Sequence, residues 1–273
     1  LDTVIVAGDG AVGIAAAVAL SNSRRVILAG PPGTRTGMDR FSVEGAGEAE
    51  LLHTGIDALE VRGGVVTALK AYSIRKAAPS ISRILRGRVV CLSNGMGLQE
   101  EWGDIAPLVE YAVLTAGFRK TSETSVSMTP GELYCSEGGM TEALFTDTFI
   151  SAAPVNDIET MRWAKWYANS IINPLGALSG LPNNMICSSP MAGYIDPLKR
   201  ELARMMPSEE ALEKGEEMLA WLLRHSSNRC SMLQDLESGN GTEIDFLTGY
   251  AVKELRGRCP AAMRIMEMVR SRT

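Results

Sequence analysis

Lys165, Asn169 and Asn173 recur every fourth residue in the stretch TMRWAKWYANSIINPLGALSGLPNN, residues 160–184. At ~100° per helical residue they fan across about 80° of one face and span about 12 Å. Their neighbours Trp163, Ala164, Trp166, Tyr167, Ala168, Ile171 and Ile172 are apolar or aromatic. An ammonium and two amides in such company must reach water or line a cavity, because buried polar groups without partners are costly. Pro174 has no N–H and clashes one turn back, so it is expected to kink or end the helix and to free the carbonyl of Ser170 beside the row. The chemistry that suits such a row is proton donation to an oxygen that gains negative charge, as when hydride reaches a ketone. A lysine can polarise the carbonyl and then give up its proton, more readily where burial lowers its pKa. A surface lysine beside two amides tied to backbone is the alternative, and the row alone does not decide between them.

A second constellation lies at the start of the chain. Thr3 to Ala7, a β-branched apolar run, leads into Gly8-Asp9-Gly10-Ala11-Val12-Gly13, and the alanine-rich stretch that follows is helix-like. Strand, glycine turn and helix form the context that the dinucleotide fingerprint requires. Gly8 permits the tight turn, Gly10 lets backbone approach a pyrophosphate, and Gly13 lets the helix pack on the strand. The helix N-terminus then offers N–H groups and a positive dipole to phosphate. The next strand, Arg25 to Ala29, ends in Gly30-Pro31-Pro32-Gly33-Thr34-Arg35 with no acidic residue before Asp39. A carboxylate there would hold a ribose 2′-hydroxyl and repel a 2′-phosphate. Its absence leans toward NADP, with NAD not excluded and Arg35 the nearest candidate phosphate ligand.

Strands at Val65 to Leu69 and Arg88 to Leu92 place Lys70 and Asn94 at carboxyl ends, where open parallel sheets collect ligands. Tyr111 to Thr115 and Ser125 to Met128 are expected to complete the sheet. From Asp157 onward the pattern is helical: Thr160 to Leu178, Glu209 to His225, Cys230 to Ser238, Thr242 to Leu255 with Thr242 as its cap, and Ala261 to Arg270. The expected architecture is therefore an α/β Rossmann domain over residues 1–156 followed by an all-α domain over residues 157–273. The polar row would open the second domain and face the cleft between them.

Composition narrows the function. The 273 residues, 45% hydrophobic and 22% charged, are ordinary for a globular chain long enough for two domains. A net charge of −5 with no basic block disfavours nucleic-acid and anionic-membrane partners. Five scattered cysteines without C-x-x-C spacing read as reduced thiols of a cytoplasmic protein. With only His53 and His225, neither a histidine metal centre nor a Ser-His-Asp triad has much to draw on. No signal sequence or membrane-spanning run is expected. The partner in view is a small molecule, and the chain is expected to be a monomer or homodimer.

Four segments together resemble the ketopantoate reductases (2-dehydropantoate 2-reductases): GDGAVG at 8–13, LKAY with SNGMG around Lys70 and Asn94, WAKWYANSIINPLGAL around Lys165, and SMLQDLESGNGTEID at 231–245. The resemblance implies a Rossmann domain joined to a helical domain of the 6-phosphogluconate dehydrogenase C-terminal type, and NADPH-dependent reduction of ketopantoate to pantoate toward pantothenate and coenzyme A. It implies that Lys165 is the catalytic lysine, and that Asn169, Asn173, Asn183, Asn228 and Ser231 hold substrate. Lys70 and Asn94 would contact cofactor, and Glu243 would sit at the junction of substrate and cofactor. Three positions depart from the family pattern. Pro31 stands where an arginine usually follows the second strand, Phe118 where a small residue is common, and Pro260-Ala261-Ala262 where the family has Pro-x-Asn.

Overall fold

The structure is a computed structural model and describes residues 3–273. The chain forms two compact units, one running up to Ser93 and resuming at Gln99–Ile158, the other made of Asn94–Leu98 and Glu159–Thr273.

The first unit opens with β1 (Thr3–Ala7), α1 (Ala11–Ser21), β2 (Arg25–Gly30), β3 (Gly37–Val43), β4 (Gly47–Gly55), β5 (Gly63–Thr67), α2 (Ile74–Ile84) and β6 (Leu85–Cys91). It continues through α3 (Leu98–Trp102), β7 (Val109–Tyr111), β8 (Val113–Leu114), β9 (Gly117–Lys120), β10 (Ser125–Thr129), β11 (Leu133–Ser136), α4 (Met140–Phe145) and β12 (Ala152–Val155). Nine strands form one sheet in the order β7-β6-β5-β1-β2-β4-β3-β10-β9, and β12-β11-β8 form a second. β1 pairs in parallel with both β2 and β5, so its apolar run is covered on both faces, and Val4, Ile5, Val6 and Ala7 are fully buried. The helix α1 is apolar all round because it is enclosed, with Gly13 through Leu20 all buried. On α2, Ile74, Ala78, Ile81 and Ile84 form the single buried stripe of an amphipathic helix.

One expectation about the strands needs correction here. Tyr111 to Thr115 is not one strand: β7 ends at Tyr111 in the large sheet, and β8 pairs with β11 in the small one. Between β2 and β5 the chain forms an antiparallel hairpin, with Val43 opposite Gly47 and Gly37 opposite His53. Along β3 only Phe41 and Val43 are buried, the alternation of a sheet with one covered face.

The second unit contains α5 (Ile158–Ser179), α6 (Ile195–Ala203), α7 (Glu209–His225), α8 (Ser231–Glu237), α9 (Thr248–Glu254) and α10 (Pro260–Arg270). Ser208 caps α7 by accepting from the Ala211 N–H. Pro174 does not end α5, which continues to Ser179. The carbonyl of Ser170, which a proline at 174 cannot serve, accepts instead from Thr248 Oγ1 at 2.9 Å. Thr242 caps no α-helix: a single 3-10 turn at Ile244–Phe246 intervenes, and α9 starts at Thr248. Among the described residues no helix is long and apolar enough to cross a membrane.

Candidate active site

In the second unit α5 carries Lys165, Asn169 and Asn173 along one face. Around them Trp166, Tyr167, Ala168, Ile171 and Ile172 are buried in the unit's core. Trp166 is fixed on two sides, donating from Nε1 to the Leu247 carbonyl at 3.3 Å and packing edge-on to Trp163 and Tyr250. These contacts lock the rotation of α5 and hence the direction of its polar row. Lys165 retains part of its surface, yet burial of its ammonium lowers the pKa to about 8, opposed by the attraction of the Glu243 carboxylate. Glu243 is itself buried, just ahead of the 3-10 turn that leads into α9. A buried carboxylate acting on a desolvated lysine is a different environment from the solvated helix start that an isolated Glu243 would suggest.

Asn173 is buried, and its carbonyl oxygen accepts from Cys230 Sγ at 3.3 Å, while the same sulfur accepts from the Leu233 N–H. Cys230 thereby pins the start of α8, with Ser231 as its first residue, against the end of the polar row. Asn183 and Asn228 are joined directly, the Asn183 N–H donating to the Asn228 carbonyl at 3.0 Å. Ser226 organises this loop: its Oγ accepts from Asn183 Nδ2 at 3.1 Å and from the Asn228 N–H at 3.4 Å. Nothing in the periodicity singles out Ser226. The only signal is a serine pair after a helix that ends at His225, a setting in which hydroxyls bond nearby backbone.

Asn94 belongs to this unit, and Lys70 with the glycine turn belongs to the other. Two of the asparagines share a feature. The side-chain oxygens of Asn94 and Asn183 are enclosed and have no hydrogen-bond partner among the described residues. Orphaned acceptors of this kind cost free energy unless a ligand supplies the donor.

In the first unit, Gly8 has φ +112°, and a Cβ on Gly13 would lie 1.7 Å from the Gly8 carbonyl oxygen, so both positions require glycine. A Cβ on Gly10 would meet nothing within 4 Å; it would project into open space in front of α1. The first turn of α1, Ala11-Val12-Gly13, has neither a side-chain cap nor an acidic residue, leaving its N–H groups directed at that space. This cradle fits a pyrophosphate. Lys70 immediately precedes the 3-10 turn that leads into α2. Asp9 faces sideways, its Oδ2 lying 3.3 Å from His53 Nε2.

Residues 157–272 match the ketopantoate reductase PanE/ApbA C-terminal family. The chain is similar to a 2-dehydropantoate 2-reductase of Pyrobaculum aerophilum, with 32% identity over 227 residues that cover 80% of this chain and 78% of the relative. In fold it is similar to the dimeric ketopantoate reductase of Staphylococcus aureus, with a TM-score of 0.81, 18% identity, and coverage of 99% of this chain and 98% of the other. A structure of D-mandelate dehydrogenase with NADH and anilino(oxo)acetate is similar as well, with a TM-score of 0.84, 17% identity, and coverage of 99% and 98%. These likenesses establish a mixed α/β domain of Rossmann-like type followed by a helical domain.

Proposed function

Since the chain belongs to the ketopantoate reductase family, we propose that it reduces ketopantoate to pantoate with a reduced nicotinamide dinucleotide, a step toward pantothenate and coenzyme A. The helical unit is then of the 6-phosphogluconate dehydrogenase C-terminal type. The observation that carries the reading is Lys165, a desolvated lysine with its pKa lowered to about 8, under the influence of the buried Glu243.

A nicotinamide, when bound, supplies the hydride that reaches the keto carbon. Gly10 and the first turn of α1 bind the pyrophosphate through backbone N–H groups. Lys165 polarises the keto oxygen as an ammonium and gives up its proton as the oxygen becomes an alkoxide. A pKa near 8 keeps it protonated at neutral pH yet a willing donor. Asn169, Asn173, Asn228 and Ser231 hold the carboxylate and hydroxyl oxygens of the substrate, and Glu243 steadies the ammonium. The orphaned acceptor of Asn183 favours ketopantoate over keto acids that offer no donor, because its primary hydroxyl can donate to such an oxygen, while that of Asn94 is left for the cofactor. Sites built to bond a hydroxyl reject the analogue lacking it far more strongly than apolar pockets reject a missing methylene.

The test follows consumption of NADPH and of NADH with ketopantoate and with its deoxy analogue 3,3-dimethyl-2-oxobutanoate. Ketopantoate should be reduced with the larger kcat/KM. Equal values for the two acids would remove the substrate assignment. Lys165→Ala should fold and bind cofactor while losing about two to four decades of turnover, the range for one general acid. Near-normal single-turnover hydride transfer in that variant would end the role given to Lys165.

A further inference from the structure

The carboxyl end of β2 is where the adenosine ribose of a dinucleotide lies in a Rossmann βαβ unit, and a carboxylate there selects the free 2′-hydroxyl. By sequence that end is bare of acids, since Gly30-Pro31-Pro32-Gly33 follows. Folding fills it from elsewhere. Asp9, inside the glycine turn, brings Oδ2 to within 2.6 Å of where a Cβ of Gly30 would be, and Thr34 Oγ1 lies equally close to that point. A side chain at position 30 would displace both, so the glycine admits them.

His53 ties the group together. It lies on β4 opposite Leu28 of β2, its ring meets Phe41 edge-on at 5.5 Å, and its nitrogens face two carboxylates: Nε2 to Asp9 at 3.3 Å and Nδ1 to Asp39 at 3.4 Å. The guanidinium of Arg35, the cation that the sequence offers for a 2′-phosphate, is engaged by Asp39 Oδ1 at 3.0 Å. A further carboxylate, Asp57, accepts from the Gly33 N–H at 3.2 Å. Counting the Arg83 guanidinium, which donates to the Asp57 carbonyl at 3.0 Å, three carboxylates against two guanidiniums leave the cluster net negative while the imidazole is neutral. Asp9, Asp39 and His53 are only 33, 25 and 17% exposed, so solvent screens their charges incompletely. A 2′-phosphate, with a charge of about −2, would be repelled there, whereas a 2′-hydroxyl finds the remaining oxygen of Asp9, Oδ1, as acceptor.

We infer that Asp9, positioned by His53, is the cofactor-selecting residue of this chain and makes it prefer NADH to NADPH. This reverses the preference expected from the missing acid after β2, because the acid arrives from the glycine turn instead of from the strand. The inference rests on the nicotinamide-dependent reading above.

The experiment titrates the full chain with NADH and with NADPH, without keto acid, reading the enhancement of nicotinamide fluorescence. NADH should bind about ten- to a hundredfold more tightly, the range of one hydrogen bond to a charged acceptor. Asp9→Asn, which keeps the shape and removes the charge, should bring the two affinities within about tenfold of each other, by weakening NADH, strengthening NADPH, or both. Tighter or equal binding of NADPH by the parent would overturn the inference and leave the reductase reading standing. Binding of neither would remove both. An unchanged ratio in Asp9→Asn would overturn the role of Asp9. The parent titration decides the preference even if the variant fails to fold.

Discussion

The Lys165 ammonium is held between two opposed influences, burial lowering its pKa and Glu243 raising it, with burial the larger. The acid form is required for ketone reduction, so kcat/KM should be level below a pH of about 8 and fall above it, losing about tenfold per pH unit. Glu243→Gln removes the influence that favours the charged form, so the falling limb should move to lower pH; a limb that stays in place or moves up would separate Glu243 from Lys165. Ser226 is a positioning residue with a different signature. Ser226→Ala takes the acceptor from Asn183 Nδ2 and from the Asn228 N–H, and should raise KM for the keto acid by about tenfold with kcat near that of the parent. Ser226→Thr, which retains the hydroxyl, should restore KM. At this scale the polar row is legible in the sequence alone, because one helix fixes the relative directions of Lys165, Asn169 and Asn173. Ser226 and the pairing of Asp9 with His53 are not. They depend on which strand lies beside which and on the path of a loop, neither of which a local pattern contains.

Between α5 and α9 a single hydrogen bond repairs what Pro174 breaks. The Ser170 carbonyl belongs to a fully buried residue, and it accepts from Thr248 Oγ1, itself fully buried. Thr248→Val should therefore cost about 1–3 kcal/mol in urea unfolding, the penalty of an unsatisfied buried acceptor. In a Pro174→Ala background the restored N–H at 174 can serve Ser170, so the same change should cost less; additive costs in the double-mutant cycle would show that the two groups do not share this carbonyl. The proline and the liberated carbonyl are legible in the sequence, but the threonine that answers it is not, since it lies far along the chain. A distant side chain also serves backbone at the start of α10, where the N–H groups of Ala261 and Ala262 both donate to the Glu201 carboxylate at 2.9 Å. The strands near the N-terminus are readable because β-branched runs enclosed in a parallel sheet are continuous. The hairpin of β3 and β4 is not, because its polar, half-covered strands carry only a faint alternation.

Five residues that follow β6 in sequence, Asn94–Leu98, are packed within the helical unit. Met96 is buried in that unit's core and its N–H donates to the Phe246 carbonyl at 2.9 Å. Gly95, at φ +98°, lies so close to Phe246 that a Cβ would stand 2.6 Å from the phenylalanine Cβ. Inheritance is where this matters. A unit whose core includes a borrowed pentapeptide cannot be exchanged between relatives at one junction, since a crossover at Ile158 alone would pair one parent's Met96 and Gly95 with the other parent's Phe246. Recombination that preserves the helical unit needs breakpoints at Ser93 and Leu98 as well. Among chimeras of this chain with a family member, those carrying residues 94–98 together with 159–273 should unfold at higher urea concentration than those joined only at 158, and equal midpoints would show that the pentapeptide is interchangeable.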